Sequence, residues 1–320
     1  MMPDNEVMLN LQKLNLPDPL AMRLVDTITI YESMRPMMPV PRNVSPKHLL
    51  RLVDIIPEVD ALILDGYGVI NVGSGPITGI GELFDCAANR NVPIIVLTNG
   101  ASFGAEVAWQ KYRKWGLPIA RDHVVSSRDA LEAALKSRSP GLIYGSLSGT
   151  SAPLGYSNEV HYNSDVGFFE KADEFVFLGT IDWDSDDQDR LEEALRQRKR
   201  RIHVANPDVA SPQASGFSAE PGYWAVRAMK NVGVPVSWYG KPYNTSFKIA
   251  FSRLEAVTGQ RFKKSRVAMV GDSLHTDVIG ASAFGLSSVL LTEYGLFRDG
   301  GASQMIDACG IYPNWIIDRL

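Results

Sequence analysis

The hydrophobic positions of the chain fall into short, wholly apolar runs that alternate with longer amphipathic segments. The runs "ALIL" (61–64), "IIVL" (94–97) and "VAMV" (267–270) each stop at a glycine or a polar residue. Such runs are typical of strands that are buried on both faces of a parallel sheet. The intervening segments "GIGELFDCAANRN" (79–91) and "NTSFKIAFSRLEAVTG" (244–259) have helical spacing. This alternation predicts an α/β fold with a doubly wound parallel sheet.

The pattern changes between about residues 140 and 235, where loops rich in Gly and Ser, such as "GLIYGSLSGTSAPLGYSN" (141–158), separate shorter elements. We predict that residues 140–235 form an inserted α/β domain, and that residues 45–139 and 236–320 together form the core domain. Residues 1–44 contain leucines spaced for a short helix pair and then the proline-rich stretch "MRPMMPVPRN" (34–43). We predict an N-terminal extension that packs on the main body.

Composition narrows the classes of function. The chain has 320 residues, and its formal net charge of −4 argues against a nucleic-acid binder and gives no attraction to an anionic membrane surface. The N-terminus lacks the basic start and apolar core of a signal peptide, and no apolar stretch reaches the roughly 20 residues of a membrane span. Two cysteines cannot build a disulfide framework. We therefore predict a cytoplasmic protein without a nucleic-acid or membrane partner.

Polar residues follow four of the predicted strands. Asp65, the pair Thr98–Asn99, Lys241 and Asp272 each come after an apolar run. Ligands of open parallel sheets bind at the carboxyl ends of the strands, so we expect these side chains to converge in one crevice.

Two carboxylates in one small volume repel each other, and a hard cation such as Mg²⁺ between Asp65 and Asp272 would remove that repulsion. Lys241 and Thr98 would then face the negative charge of a phosphoryl group. This set of groups predicts phosphoryl transfer, with Asp65 as the candidate nucleophile.

Each residue also has a purely structural interpretation. Asp65 could cap a turn, Asp277 could pair locally within its helix, and Lys241 before Pro242 could be an exposed turn lysine. The order of the four polar strand ends along the chain favours a functional site over these alternatives.

Four ordered motifs carry a family resemblance: "LILDGYGVI" (62–70), "VLTNGAS" (96–102), "YGKP" (239–242) and "VGDSLHTDVIGASAFGL" (270–286). They resemble the haloacid dehalogenase (HAD) superfamily, and more closely its class IIA of NagD-like and phosphoglycolate phosphatase-like proteins. Class IIA members carry a C2-type α/β cap domain between the second and third motifs. The segment "VANPD" (204–208) is similar to the "TNPD" of those caps. The resemblance covers residues 60–295.

The resemblance implies roles for single residues. It makes Asp65 the nucleophile, which forms an aspartyl intermediate, and Lys241 the residue that orients it. It makes Thr98 the phosphoryl-binding hydroxyl, with Asn99 and Gly100 beside it. The implied Mg²⁺ ligands are Asp65, the backbone carbonyl of Tyr67, Asp272 and, near the metal shell, Asp277. In the cap, Trp183, Asn206 and Asp208 are at predicted strand-end turns that could contact the substrate. The implied partners are a small phosphorylated metabolite and, through the cap, a second copy of the chain.

One position departs from the family pattern. Family phosphatases have D-x-D after the first strand, whereas this chain has Asp65-Gly66-Tyr67. The missing aspartate is the general acid and base of the reaction. A free phenol, with a pKa of about 10, can donate a proton but is a poor base at neutral pH. We therefore expect slow hydrolysis of the intermediate, although packing of Tyr67 against the cap is an equal alternative to a chemical role.

Tyr67 leaves two other functions open. The order D-x-Y-G resembles the haloacid dehalogenases proper, which attack carbon without a metal, although Asp272 has no evident role in such an enzyme. A phosphometabolite-binding protein that has lost turnover is the second alternative. The metal-type last motif favours a Mg²⁺-dependent phosphatase over both.

Overall fold

The computed structural model describes residues 5–138, 141–147, 152–155, 158–213 and 216–320. The helices described are α1 (Asn5–Lys13), α2 (Leu24–Ser33), α3 (Ile80–Asn89), α4 (Ala105–Lys114), α5 (Ser127–Lys136), α6 (Phe168–Lys171), α7 (Ser185–Gln197), α8 (Pro221–Val232), α9 (Asn244–Thr258), α10 (Ile279–Phe284) and α11 (Ala302–Cys309). The strands described are β1 (Lys47–Arg51), β2 (Ala61–Leu64), β3 (Asn71–Val72), β4 (Gly75–Pro76), β5 (Ile94–Thr98), β6 (Val124–Ser126), β7 (Tyr144–Ser146), β8 (Glu159–His161), β9 (Glu174–Phe177), β10 (Ile202–Val204), β11 (Ala210–Pro212), β12 (Phe217–Ala219), β13 (Val236–Trp238), β14 (Val267–Gly271), β15 (Ser287–Leu291) and β16 (Trp315–Arg319).

The chain divides into two compact units. The core unit consists of Met38–Thr98, Ala105–Ser126 and Lys241–Leu320, and the insert unit consists of Met1–Met37, Asn99–Gly104 and Ser127–Gly240. This division differs from the predicted boundaries. Met1–Met37, Asn99–Gly104 and the segment with α5 belong to the insert unit, whereas the core unit begins at Met38 and resumes at Lys241 instead of residue 236.

The core unit contains a parallel sheet with the strand order β1-β16-β15-β14-β2-β5-β6. Strand β2 lies in its interior, with Leu64 beside Val270 of β14 and Val96 of β5. Along β2, Leu62 and Leu64 pack into one apolar cluster, whereas Ala61 and Ile63 pack into another. Since both faces of the strand are covered, every position of the run must be apolar. The predicted α/β parallel-sheet fold is confirmed.

The insert unit has its own sheet, in which the described strands follow the parallel order β13-β10-β9-β7-β8. Helix α5 belongs here because Leu131 and Leu135 pack in a cluster with Tyr144 and Val176. Strand β13, which precedes Lys241, pairs with β10 of this sheet. The prediction that Lys241 follows a strand of the core sheet is therefore wrong, although the residue itself lies in the core unit.

The N-terminal segment packs within the insert unit. The predicted helix pair is confirmed as α1 and α2. The hydroxyl of Tyr223 donates to the carbonyl of Pro17 at 2.7 Å, and the amide of Val209 donates to the hydroxyl of Tyr31 at 3.0 Å. These contacts fix the segment to α8 and to the loop before β11. Within the described part of the chain, each helix is too short or too polar to span a lipid bilayer.

Candidate active site

Asp65 stands at the carboxyl end of β2 and is buried. Its amide donates to the carbonyl of Val270 at 2.9 Å, which extends the β2–β14 pairing by one residue. Its Oδ1 accepts the amide of Gly66 at 2.6 Å and lies 2.7 Å from Lys241 Nζ. The carboxylate is therefore held by backbone and ammonium donors in a fixed direction, as a nucleophile requires.

Lys241 bridges two carboxylates. Its Nζ lies 2.7 Å from Asp65 Oδ1 and 2.7 Å from Asp277 Oδ1, and the side chain is only 1% exposed. A buried ammonium is tolerated because it is paired and hydrogen-bonded. The structure thus rejects the interpretation of Lys241 as an exposed turn residue.

Asp272 and Asp277 come from the segment after β14. Asp272 Oδ2 accepts the amide of Leu296 at 3.0 Å, and Asp277 Oδ2 accepts the amide of Ser273 at 3.2 Å. A π-helical turn, Leu274–Val278, carries Asp277 into contact with Lys241. Burial, followed by the neighbouring carboxylates of Asp277 and Asp65, raises the pKa of Asp272 well above its ordinary value.

The three carboxylates fit a divalent cation. One oxygen from each of Asp65, Asp272 and Asp277 can be chosen so that all three lie within 4.8 Å of one another, and all three residues are buried. The backbone at Gly68 also lies close to this cluster, because a Cβ added at residue 68 would lie 2.5 Å from Asp272 Oδ2. Carboxylate and carbonyl oxygens at such a crowded, negatively charged point are the ligands that Mg²⁺ prefers.

Tyr67 lies in a tight turn after Asp65. The amides of Ile70 and Asn71 both donate to the carbonyl of Gly66, at 2.9 and 3.0 Å. The amide of Gly73 donates to the Tyr67 hydroxyl at 3.4 Å. The phenol therefore lies along the β3–β4 hairpin, where its oxygen accepts a hydrogen bond from the backbone.

The structure adds a residue that the sequence did not indicate. A Cβ at residue 66 would lie 2.7 Å from Tyr112 Oη and 3.3 Å from Thr98 Oγ1. Gly66 thus leaves the space that the buried phenol of Tyr112, on α4, occupies beside Thr98. Burial, and then the Asp65 carboxylate, raises the pKa of Tyr112 above its ordinary value. Its hydroxyl is therefore a proton-bearing group at neutral pH.

The predicted substrate-binding residues of the insert unit divide into two sets. Asn99, which follows Thr98 in the chain, donates through Nδ2 to Asp208 Oδ1 at 2.9 Å, and the neighbouring Gly100 is exposed. Trp183 is elsewhere, with its Nε1 donating to Gln188 Oε1 at 3.0 Å. Its ring packs against the rings of Tyr162 and Phe177. The structure packs Trp183 into the aromatic core of the insert unit, and its contact with substrate stays a prediction.

Asn206 and Asp208 lie on a turn that is joined to a further carboxyl group, Glu220. The amide of Asp208 donates to Asn206 Oδ1 at 3.0 Å, and Asn206 Nδ2 donates to Glu220 Oε2 at 3.2 Å. Ser211 Oγ donates to Glu220 Oε1 at 2.6 Å. Burial raises the pKa of Glu220 to about 7, although the Ser211 hydrogen bond opposes this. Sequence reasoning missed Glu220, and the only available signal was an acidic residue directly before Pro221-Gly222 at a helix start.

Known proteins match most of this chain. Residues 62–160 match the family model "Haloacid dehalogenase-like hydrolase", and residues 238–311 match the model "HAD-hydrolase-like". An acid sugar phosphatase of Staphylococcus saprophyticus is 28% identical over 225 residues, which are 68% of this chain and 81% of that protein.

Solved structures share the fold. A possible sugar phosphatase of the HAD superfamily from Cytophaga hutchinsonii has a TM-score of 0.74 and 24% identity, over 85% of this chain and 98% of that one. A glycerol phosphate phosphatase from Mycobacterium tuberculosis, in complex with magnesium, has a TM-score of 0.57 and 22% identity, over 74% of this chain and 69% of that one.

Proposed function

The chain belongs to the haloacid dehalogenase-like hydrolases of the NagD-like class IIA, and we propose that it hydrolyses phosphate monoesters of a small metabolite with the aid of Mg²⁺. The observation that carries the proposal is the cluster of Asp65, Asp272 and Asp277 around Lys241. Mg²⁺ held by Asp65, Asp272, Asp277 and the Tyr67 carbonyl would offset the charge of the carboxylates and of the phosphoryl oxygens.

The proposed reaction has two steps. In the first, an oxygen of Asp65 attacks phosphorus while the bond between phosphorus and the ester oxygen breaks, which leaves an aspartyl phosphate. The ester oxygen takes a proton from water and departs as the alcohol. In the second, water attacks that phosphorus, releases inorganic phosphate and regenerates Asp65. Lys241, at 2.7 Å from Asp65 Oδ1, holds the carboxyl group of Asp65 in place in both steps. Thr98 is the proposed hydrogen-bond donor to the phosphoryl group.

Tyr67 makes the second step the slow one in this proposal. The attacking water must lose a proton, and the phenol of Tyr67 is a poor base that already accepts the Gly73 amide. General acid and base catalysis is typically worth about 10²–10⁴-fold, so turnover should persist at a reduced rate. The relatives named as sugar and glycerol phosphate phosphatases support a phosphorylated sugar or polyol as the substrate.

The test is release of inorganic phosphate from a panel of phosphate monoesters, with Mg²⁺ and after chelation. Activity should require the metal, and Asp65→Asn should reduce kcat by at least about 10³-fold, because the variant lacks the attacking oxygen. Rapid quenching with a ³²P-labelled substrate should trap the aspartyl phosphate on the wild type and none on Asp65→Asn.

Three outcomes distinguish the alternatives. Equal activity of Asp65→Asn and wild type would refute the mechanism. Halide release from a haloacid without metal would instead identify a hydrolase that acts at carbon. Tight binding of phosphate esters without turnover, unchanged by Tyr67→Asp, would identify a binding protein.

A further inference from the structure

We propose that the ammonium of Lys111, on α4, is a second cation of the candidate site and binds the phosphoryl group of the substrate. The proposal rests on the proposed function and deepens it, because it adds a binding residue for the phosphate ester that lies outside the four sequence motifs. All the residues that carry the proposal belong to the core unit.

The turn that follows Asp65 is the part of the site that α4 contacts. The amide of Asn71 donates to the carbonyl of Gly66 at 3.0 Å, and the amide of Gly68 donates to the carbonyl of Asn71 at 2.8 Å. The Asn71 residue is buried, with 2% of its surface exposed. These hydrogen bonds close the turn, so Asn71 has a defined position relative to Asp65.

Two consecutive residues of α4 lie against this turn. Lys111 Nζ donates to Asn71 Oδ1 at 3.2 Å. Tyr112 Oη lies at the other end of the turn, only 2.7 Å from the place that a Cβ at residue 66 would take. Contacts at both ends fix α4 against the turn, and they place the Lys111 ammonium beside the segment that carries the proposed nucleophile.

The contacts of this ammonium leave its charge uncompensated. Besides the Asn71 amide oxygen, Lys111 Nζ lies 5.3 Å from the centroid of the Tyr112 ring and 5.2 Å from that of the Trp115 ring. In the described part of the chain these partners are all neutral, whereas Lys241 lies against two carboxylates. Aromatic rings attract a cation without cancelling its charge. An ammonium has three donors, and Asn71 takes one of them, so Lys111 can donate to a ligand.

The Asp65 carboxylate acts on Lys111 through space. Burial of the ammonium lowers the pKa of Lys111, and the charge of Asp65 opposes that change. Although the rings cover part of its ammonium end, Lys111 as a whole is exposed to solvent. A ligand can therefore reach the ammonium while it is within the electrostatic range of the nucleophile.

A cation at this position matches the charge of the substrate. A phosphate monoester carries a charge of about −1.5 to −2 at neutral pH, and the buried carboxylates of the site repel it. Lys241 is already engaged by Asp65 and Asp277, whereas Lys111 can offer its full charge in a charge-assisted hydrogen bond. Because the substrate and the phosphate product both carry this charge, Lys111 should contribute to their binding more than to the chemical step.

The test measures the Kd of inorganic phosphate by calorimetry with Mg²⁺ present, and kcat and KM for p-nitrophenyl phosphate. Lys111→Met keeps the length of the side chain but removes its charge, so Kd and KM should each rise about tenfold while kcat changes by less than about threefold. Lys111→Arg keeps the charge, and its Kd should stay within about threefold of the wild type. Lys114→Met, at an exposed position of the same helix, is the matched control and should leave both quantities within about twofold.

Asn71→Ala separates ligand binding from a purely structural tie. If Lys111 only links α4 to the turn, Asn71→Ala removes the same hydrogen bond and should raise the phosphate Kd as much as Lys111→Met does. Under the proposal, Asn71→Ala raises it less than about threefold. Higher ionic strength should also weaken phosphate binding less in Lys111→Met than in the wild type, because the variant lacks the charge that salt screens.

A phosphate Kd of Lys111→Met within twofold of the wild type, or an equal rise in Asn71→Ala, would overturn the inference and leave the proposed phosphatase intact. If the wild type hydrolyses no phosphate ester, the proposed function fails, and the phosphate Kd values alone decide the inference. Absence of both hydrolysis and phosphate binding in the wild type would refute both. Near-ultraviolet circular dichroism establishes that each variant is folded, and Lys111→Gln replaces Lys111→Met if the latter is not.

Discussion

Asp65 and Asp277 of the core unit and the half-buried Glu220 of the insert unit are held by opposite means. In the core unit, Asp65 and Asp277 share the ammonium of Lys241, and Asp272 lies against them. In the insert unit, Glu220 receives only neutral donors in its described hydrogen bonds, from Ser211 and Asn206. The first arrangement is a set of mutually dependent charges. The second is a carboxyl group whose described hydrogen-bond donors carry no charge.

This difference determines how each region responds to change. Removal of one member of a buried charge set leaves the others uncompensated, which is costly for stability and for chemistry. If Gln replaces Glu220, its oxygen can accept the Asn206 amide, and the Ser211 hydroxyl can turn to accept a hydrogen bond from its NH2 group. No buried charge is then left uncompensated. Variants of the two regions should therefore differ in the sign of their effect as well as in its size.

The largest effect is expected for Lys241→Met. The variant leaves Asp65 and Asp277 facing each other without the ammonium, so unfolding free energy in the absence of Mg²⁺ should fall by about 3 kcal/mol. Phosphatase activity should fall by at least about 10²-fold, since the nucleophile loses its orienting partner. Urea denaturation and steady-state kinetics measure the two quantities.

The control is Lys248→Met on the exposed surface of α9, which should change the unfolding free energy by less than about 0.5 kcal/mol. Equal stability of Lys241→Met and Lys248→Met would contradict the view that the core carboxylates depend on this lysine.

A gain of activity is expected for Tyr67→Asp, which places a carboxylate where the phenol now lies. If the missing base limits turnover, kcat should rise about 10- to 100-fold, within the usual range of general base catalysis. Tyr67→Asn is the matched control, since it has the same shape but cannot take up a proton. A similar change in kcat for both variants would show that the size of Tyr67, and not its lack of basicity, limits the reaction.

Much of the core unit could be predicted from the sequence. Strand β2 is covered on both faces, so its run from Ala61 to Leu64 is wholly apolar. Asp65 is therefore recognisable from the sequence as a charged residue directly after a buried strand. We expected Lys241 at the site because it follows an apolar run that we assigned to the core sheet. That assignment is wrong, since the run forms β13, which pairs with β10 and not with a core strand. Apolar periodicity identifies a strand but not the sheet that it joins.

The insert unit was less predictable. Its boundaries depend on packing between distant segments, such as Tyr31 with Val209, which leaves no local pattern. Trp183 and Glu220 show the same limit, because an aromatic residue after a strand and an acid before a helix both have common structural roles. The roles of single site residues, the cytoplasmic location and the homodimer stay predictions.

Glu220→Gln is expected to have the smallest effect on the unfolding free energy. This effect should be opposite in sign to that of Lys241→Met. The folded-state pKa of Glu220 is raised from its ordinary value of 4.5 to about 7, so the folded protein binds more protons than the unfolded chain between these pH values. Its contribution to stability is therefore present below pH 4.5 and is lost as the pH rises to about 7. Gln does not titrate and avoids this loss.

When the pH is raised from 4.5 to 8, Glu220→Gln should therefore gain about 1 kcal/mol of unfolding free energy relative to the wild type. This figure is smaller than the pKa shift alone would give, because water reaches the half-buried side chain. Urea titrations at both pH values measure it, with Glu193→Gln as the control that should show no such difference. A gain that is the same at the two pH values would mean that the carboxyl of Glu220 is compensated in the way that Asp65 and Asp277 are.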